Sequence, residues 1–193
     1  MDSDRLTGLR VAIVVTDGFE QIEMVDPRNA LETAGAETTL IAPKPGEVQG
    51  VKHGEKADTF TVQRTLAEVD PDDFDALLLP GGALNSDKIR VEQKAQALVR
   101  AFDQAGKPMA VICHAPWLLV SSGIVKGRTL TSYHTIQDDI RNAGATWVDR
   151  PAVRDRNLVT SRKPADLGAF DAAMIDLFAE ALTGAREQPA SSR

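Results

Sequence analysis

Three short segments, 10–16 (RVAIVVT), 76–79 (ALLL) and 108–112 (PMAVI), are apolar at nearly every position rather than at alternate ones. A strand with one wet face alternates, so segments of this kind predict strands covered on both faces, as in parallel sheets. Each of them stops abruptly. The first runs into Asp17-Gly18-Phe19-Glu20, the second into Pro80-Gly81-Gly82, and the third into Cys113, the single cysteine of the chain.

Between these segments the pattern turns helical. The segment 23–34 reads as a helix interrupted early by Pro27 and closed by Gly35, and 38–42 as a second strand ended by Pro43 and Pro45. Residues 46–65 show weak periodicity and turn glycines, which predicts a loop with a short edge hairpin that includes 58–62. The acids of 70–75 read as a solvated turn that caps a short helical turn. A loop through Ser86 and Asp87 precedes an amphipathic helix with Val91, Ala95, Leu98, Val99 and Phe102 on one face, ended by Gly106. Further strands are expected at 129–132, 146–148, 152–154 and 158–160, and further helices at 136–142 and 169–182. The last helix is expected to bury Phe170, Met174, Leu177 and Phe178. Residues 1–183 thus read as one domain and 184–193 as a flexible tail. Strands alternating with helices predict a three-layer α/β/α sandwich with a mostly parallel central sheet.

In such a sheet ligands sit beyond the carboxyl ends of the strands. That rule would bring the Glu20 loop, the Pro80-Gly81-Gly82 loop and Cys113 to one rim. After Cys113 the chain continues as His114-Ala115-Pro116-Trp117-Leu118-Leu119-Val120, a helix start with proline in its first turn, closing near Ser122-Gly123. A strand that turns sharply into a helix with a nucleophile at the corner is the elbow arrangement, here with sulfur in place of a serine oxygen. The unpaired N–H groups and the dipole at a helix start favour thiolate over thiol. A lone cysteine after a buried strand is also an ordinary small core residue; the loops gathered around this one weigh against that. The backbone N–H groups of Gly81, Gly82 and His114 are candidate donors to an oxyanion. Glu20 beside a thiolate would have to share a proton with it, whereas Glu23, which opens the helix, reads as a capping acid. His114 and His134 compete for the role of general base, and His53 reads as a surface residue.

Charged residues make up 26% of the 193 positions with a net charge of −6, and no basic stripe stands out. This balance argues against a nucleic-acid or anionic-membrane partner. One cysteine allows neither an intrachain disulfide nor a C-x-x-C motif, as suits a reducing cytoplasm. The leader MDSDRLTGLR does not read as a signal peptide, and no apolar run approaches membrane-spanning length, so a cytoplasmic location is expected. No histidine pair has metal-ligand spacing, and neither the phosphate-loop nor the dinucleotide fingerprint occurs. No metal or cofactor is expected.

Taken in order, GFEQIE, FDALLLPGG, GKPMAVICHAPWLL, GRTLTSY, NAGATWVD and TSRKPADL resemble the ThiJ/PfpI superfamily, in its PfpI-type branch, over residues 10–182. The resemblance implies a flavodoxin-like sandwich and a homo-oligomer, either a dimer or a hexamer built as a trimer of dimers. It implies Cys113 as nucleophile, Glu20 as the acid beside it and His114 as base. In the peptidase-like members an acid of a neighbouring subunit orients the base. The matching position is Asp87, an aspartate where those members have glutamate, after a loop one residue longer. Tyr133 matches a tyrosine that lines the family's site, with His134 next to it, and Ala115 stands where glycine is usual. The activities implied are peptidase, deglycase or glyoxalase chemistry on methylglyoxal adducts, and redox-sensing chaperone behaviour. The resulting expectation is a cytoplasmic stress-response hydrolase that uses Cys113 against small carbonyl adducts or short peptides. The alternative is a non-enzymatic, redox-sensing protective protein whose Cys113 oxidises to sulfinic acid.

Overall fold

The computed structural model describes residues 4–187. The chain enters on β1 (Arg10–Val14), then passes through short β2 (Phe19–Glu20), helix α1 (Gln21–Thr33) and β3 (Glu37–Ala42). The hairpin of β4 (Glu47–Lys52) and β5 (Glu55–Thr61), followed by short β6 (Arg64–Thr65), precedes β7 (Ala76–Leu79). Helices α2 (Ala83–Ile89) and α3 (Gln93–Gln104) lead to β8 (Met109–Ile112), and α4 (Pro116–Ser121) follows the elbow. The remainder comprises β9 (Thr129–Leu130), α5 (Gln137–Asn142), β10 (Thr146–Trp147), β11 (Ala152–Asp155), β12 (Leu158–Ser161) and α6 (Leu167–Glu187).

Seven strands form one sheet in the order β11-β12-β8-β7-β1-β3-β6. Every pairing in it is parallel except β11 with β12. Successive residues of a strand point to opposite faces, and both faces here are covered. Val11 and Ile13 pack with Met24 and Leu31 of α1 and with Phe170, Met174 and Phe178 of α6. Ala12 and Val14 pack on the other side with Leu98, Val99 and Phe102 of α3 and Leu118 and Leu119 of α4. The three layers and the mostly parallel sheet follow, and so does the lack of polar alternation in the central strands.

Several elements differ from the sequence expectation. The stretch through Ser86 and Asp87 is not a loop but the helix α2, whose inward residues Asn85 and Ser86 are polar. Val91 is 70% exposed, because it lies in the turn before α3 rather than on that helix's apolar face. Pro27 lies inside α1 with its ring buried, and the helix continues through it. The hairpin β4–β5 does not lie on the edge of the main sheet; it pairs with β2 to build a separate three-stranded sheet, β2-β4-β5. His53 and Gly54 make its two-residue turn, both with positive φ (53° and 89°), as a type I′ turn requires. Gln21 pins this hairpin to the start of α1, exchanging two hydrogen bonds with Asp58 at 2.7 and 2.8 Å. Residues 184–187 belong to α6, and the rest of the expected tail, 188–193, lies outside the described residues. Among the described residues no helix is long and apolar enough to cross a membrane.

Candidate active site

Cys113 stands where β8 ends, and its backbone takes the left-handed conformation, with φ +64°. An L-residue pays about 1–2 kcal/mol for that geometry, so it persists only where the surroundings impose it. Here they do. The Cys113 N–H donates to the Ser161 carbonyl at 3.0 Å, and the Cys113 carbonyl accepts from the Tyr133 N–H at 2.8 Å. The strand-to-helix corner is therefore bolted to the segments on both sides. The side chain is 6% exposed and faces a cleft of about 580 Å³.

The backbone N–H groups of Gly82 and His114 lie near the sulfur and lower the proton affinity of the thiol. The glycines of the Pro80-Gly81-Gly82 loop make this approach possible. A Cβ on Gly81 would lie 2.6 Å from Cys113 Cβ and 2.5 Å from a Glu23 oxygen. A Cβ on Gly82, whose φ is +88°, would lie 2.5 Å from the Gly18 carbonyl oxygen and 2.6 Å from the Glu20 nitrogen. Asn85 braces the loop from behind. Its amide donates to the carbonyls of Pro80 (3.1 Å) and Gly81 (2.9 Å), and its Oδ1 accepts from the Thr16 N–H at 2.7 Å. Because both neighbours of the Gly82 Cβ position are backbone, Gly82→Ala is expected to destabilise the chain by about 2 kcal/mol or more in urea unfolding. An unchanged unfolding midpoint would mean that the two loops can part without cost.

The acid against the sulfur is Glu23, not Glu20. Glu20 closes β2, and its carboxylate turns to the His53 N–H, which it accepts at 3.2 and 3.4 Å. Glu23, one helical turn later, points inward from α1 and is fully buried. Its Oε2 accepts from the Gly81 N–H at 3.0 Å, its Oε1 has no hydrogen-bond partner within the protein, and the carboxyl lies close enough to Cys113 for each to act on the other's proton affinity. Burial pushes the Glu23 carboxyl up to about 8, and the negative charge of Glu20 adds to the rise. At neutral pH Glu23 therefore holds a proton and faces the sulfur as a donor.

The thiol expectation changes accordingly. Burial raises the Cys113 thiol, and any charge on Glu23 raises it further; the Gly82 and His114 N–H groups act in the opposite sense. The helix start does not set the ionisation by itself. What the site offers at neutral pH is a thiol beside a protonated carboxyl, with two N–H groups ready for negative charge on sulfur once the thiol proton leaves.

His114 lies within hydrogen-bond reach of the thiol, with Nδ1 3.2 Å from Sγ, and its Nε2 is 3.3 Å from Thr135 Oγ1. Burial, then the neighbouring His134, lowers its proton affinity, so the imidazole is neutral at pH 7 and free to take a proton. Tyr133 stacks on it, with ring centroids 4.7 Å apart, and lines the cleft. His134 is exposed, packs against Tyr133 at 4.6 Å and is not among the residues that line the cleft. Asp87 lies on the exposed face of α2, also outside the lining. His53, read as a surface residue, is exposed and also lines the cleft, carried there by the β4–β5 turn. Lys163 lines it too; it follows the carboxyl end of β12, the same rim that holds Cys113. Among the described residues no group of three or more His, Cys, Asp or Glu side chains is placed to hold a metal ion.

A doubly covered parallel sheet with a thiol at its strand-to-helix corner, flanked by a buried carboxyl and an imidazole, defines the class. Residues 9–177 match the model of the DJ-1/PfpI family, and the chain belongs to that family. It is 44% identical over 164 residues to a deglycase of Thermococcus kodakarensis, covering 84% of this chain and 95% of the relative. It is 40% identical over 163 residues to a protein/nucleic acid deglycase of Escherichia coli, covering 84% of this chain and 93% of the relative. Among solved structures it is similar to DJ-1beta of Drosophila melanogaster, with a TM-score of 0.79 and 25% identity, covering 94% of this chain and 99% of that one.

Proposed function

We propose that the chain is a cysteine-dependent deglycase that hydrolyses the adducts formed by methylglyoxal on amino-acid side chains, a protective role in the cytoplasm. One observation carries this reading. A buried, protonated carboxyl, a neutral imidazole and two backbone N–H groups converge on a single sulfur at the floor of a cleft. The names of the Thermococcus and Escherichia relatives support the choice of substrate.

In this reading Cys113 passes its thiol proton to His114 and its Sγ attacks the adduct carbon that bears the side chain. The C–N or C–S bond to the side chain breaks, the side chain leaves with the proton held by Glu23, and the proton on His114 passes to the Glu23 carboxylate. The enzyme-bound hemithioacetal then gives its C–H proton to His114, which returns it to the neighbouring carbonyl carbon through an enediol. One carbon is oxidised to a thioester while its neighbour is reduced to an alcohol, so no outside oxidant is used. Water adds to the thioester, with the oxyanion held by the Gly82 and His114 N–H groups. Collapse expels the Cys113 sulfur, which takes back one proton of the water as the thiol, and lactic acid leaves to ionise in water. In a homo-oligomer, Asp87 of a second copy is the acid we assign to His114 Nε2, where Thr135 sits within one chain.

The test is direct. Wild-type protein given the methylglyoxal adducts of N-acetylcysteine and N-acetylarginine should release lactate together with the free side chain. Acid-quenched samples should carry one three-carbon unit on the Cys113 peptide by mass spectrometry. Absence of lactate release from both adducts overturns the reading.

A further inference from the structure

The cleft has a second lobe. Beside the 580 Å³ space over Cys113 lies another of about 380 Å³, bounded by Gln21, Ile22, Val25 and Ala57. Glu20, His53 and Pro164 line both. Spaces of this size suit a ligand far larger than a three-carbon dicarbonyl, so the second lobe has room for the side chain that carries the adduct. The hairpin forming its outer wall is held in place by the paired hydrogen bonds between Gln21 and Asp58.

Glu20 stands at the junction. It is half-buried, and its carboxylate receives only the long 3.2 and 3.4 Å contacts from the His53 N–H. Among the described residues it forms no ion pair, whereas Asp149 and Asp166 are both engaged by Arg162. It lines the same cleft as Cys113 and Glu23, and its charge raises the proton affinity of the Glu23 carboxyl. Lys52 and Lys163 also line the lobes, but both are exposed, and water and salt screen charges at such positions more than at a half-buried one.

We propose that Glu20 is the specificity-determining residue of the cleft, receiving the guanidinium of an arginine-linked adduct at the junction of the two lobes while the adduct carbon meets Cys113. This rests on the deglycase reading. Of the side chains that methylglyoxal modifies, arginine keeps a planar cationic donor fork after early adduct formation, and that fork matches a carboxylate with free lone pairs. A cysteine adduct is a neutral hemithioacetal and brings nothing for Glu20 to hold. The site therefore favours arginine-linked adducts over cysteine-linked ones.

Comparing the two adducts in Glu20→Gln isolates this preference. Removing the Glu20 charge also alters Glu23, but that change acts on both substrates and cancels in their ratio. The kcat/KM ratio of the N-acetylarginine adduct to the N-acetylcysteine adduct is expected to fall at least about tenfold in the variant. A binding measurement runs without turnover. N-acetylarginine amide should protect wild-type Cys113 from iodoacetamide, and neither the neutral citrulline analogue on wild type nor N-acetylarginine amide on Glu20→Gln should do so. An unchanged ratio, or equal protection by arginine and citrulline, overturns the role of Glu20 while leaving the deglycase reading intact. Loss of turnover on both adducts in wild type removes that reading and the proposal with it.

Discussion

Cys113→Ala is expected to lower turnover of carbonyl adducts by roughly a thousandfold or more, to the level of the remaining binding groups. The fold should survive, because the alanine Cβ fits where the cysteine Cβ sits and the backbone bolts at Ser161 and Tyr133 do not involve the sulfur. Cys113→Gly should be equally inactive yet more stable than Cys113→Ala. The left-handed φ of +64° costs an L-residue about 1–2 kcal/mol, a cost glycine does not bear. Glycine's greater freedom in the unfolded chain offsets about 0.4–1 kcal/mol of that gain. The net advantage is about 1 kcal/mol, readable in urea unfolding of the two variants side by side. Such a result would show that the corner holds backbone strain at Cys113. Alanine and glycine variants of equal stability would locate no strain there, and residual turnover in either would remove Cys113 as the nucleophile.

What the sequence disclosed divides along a physical line. The central strands were legible because burial on both faces writes itself locally, as unbroken apolar runs such as 76–79 (ALLL). The elbow was legible for a similar reason, since a buried strand, three residues led by Cys113 and a proline-led helix follow each other directly. The choice between Glu20 and Glu23 was not local. The two lie one helical turn apart, and which one turns inward depends on where α1 begins. That start is set by the pairing of Phe19 and Glu20 with Gly50 and Val51, thirty-odd residues away in the chain. The β4–β5 turn that carries His53 to the cleft depends on the same pairing. Helix α2 was hidden for another reason: its inward face presents Asn85 and Ser86 with a single apolar residue, Ile89, so hydrophobic periodicity has little to report. Those polar residues face inward because Asn85 braces the loop that carries the Gly82 N–H, and the site has taken over positions the core would otherwise fill.

Glu23→Gln tests whether the buried carboxyl holds its proton in the fold. Glutamine keeps the shape of the neutral carboxyl but can neither give nor take a proton, so turnover should fall by about 10²–10⁴-fold. Its effect on stability should depend on pH in a defined direction. In the folded chain Glu23 holds its proton up to about 8, whereas an exposed glutamate releases it near 4.5. Between those values the folded state binds the extra proton, so the stability of wild type falls as pH rises, and the contribution is complete only below about 4.5. The loss by pH 8 and above is on the order of 4 kcal/mol for a fully buried carboxyl. Glu23→Gln carries no such titration. The two proteins should unfold at similar urea concentrations near pH 5 and diverge toward pH 9, with the variant the more stable. A wild type whose stability relative to the variant instead stays flat across that range would mean that Glu23 is ionised in the fold while the thiol keeps its own proton. The carboxyl would then act as the base that activates Cys113, and the departing side chain would have to take its proton from elsewhere.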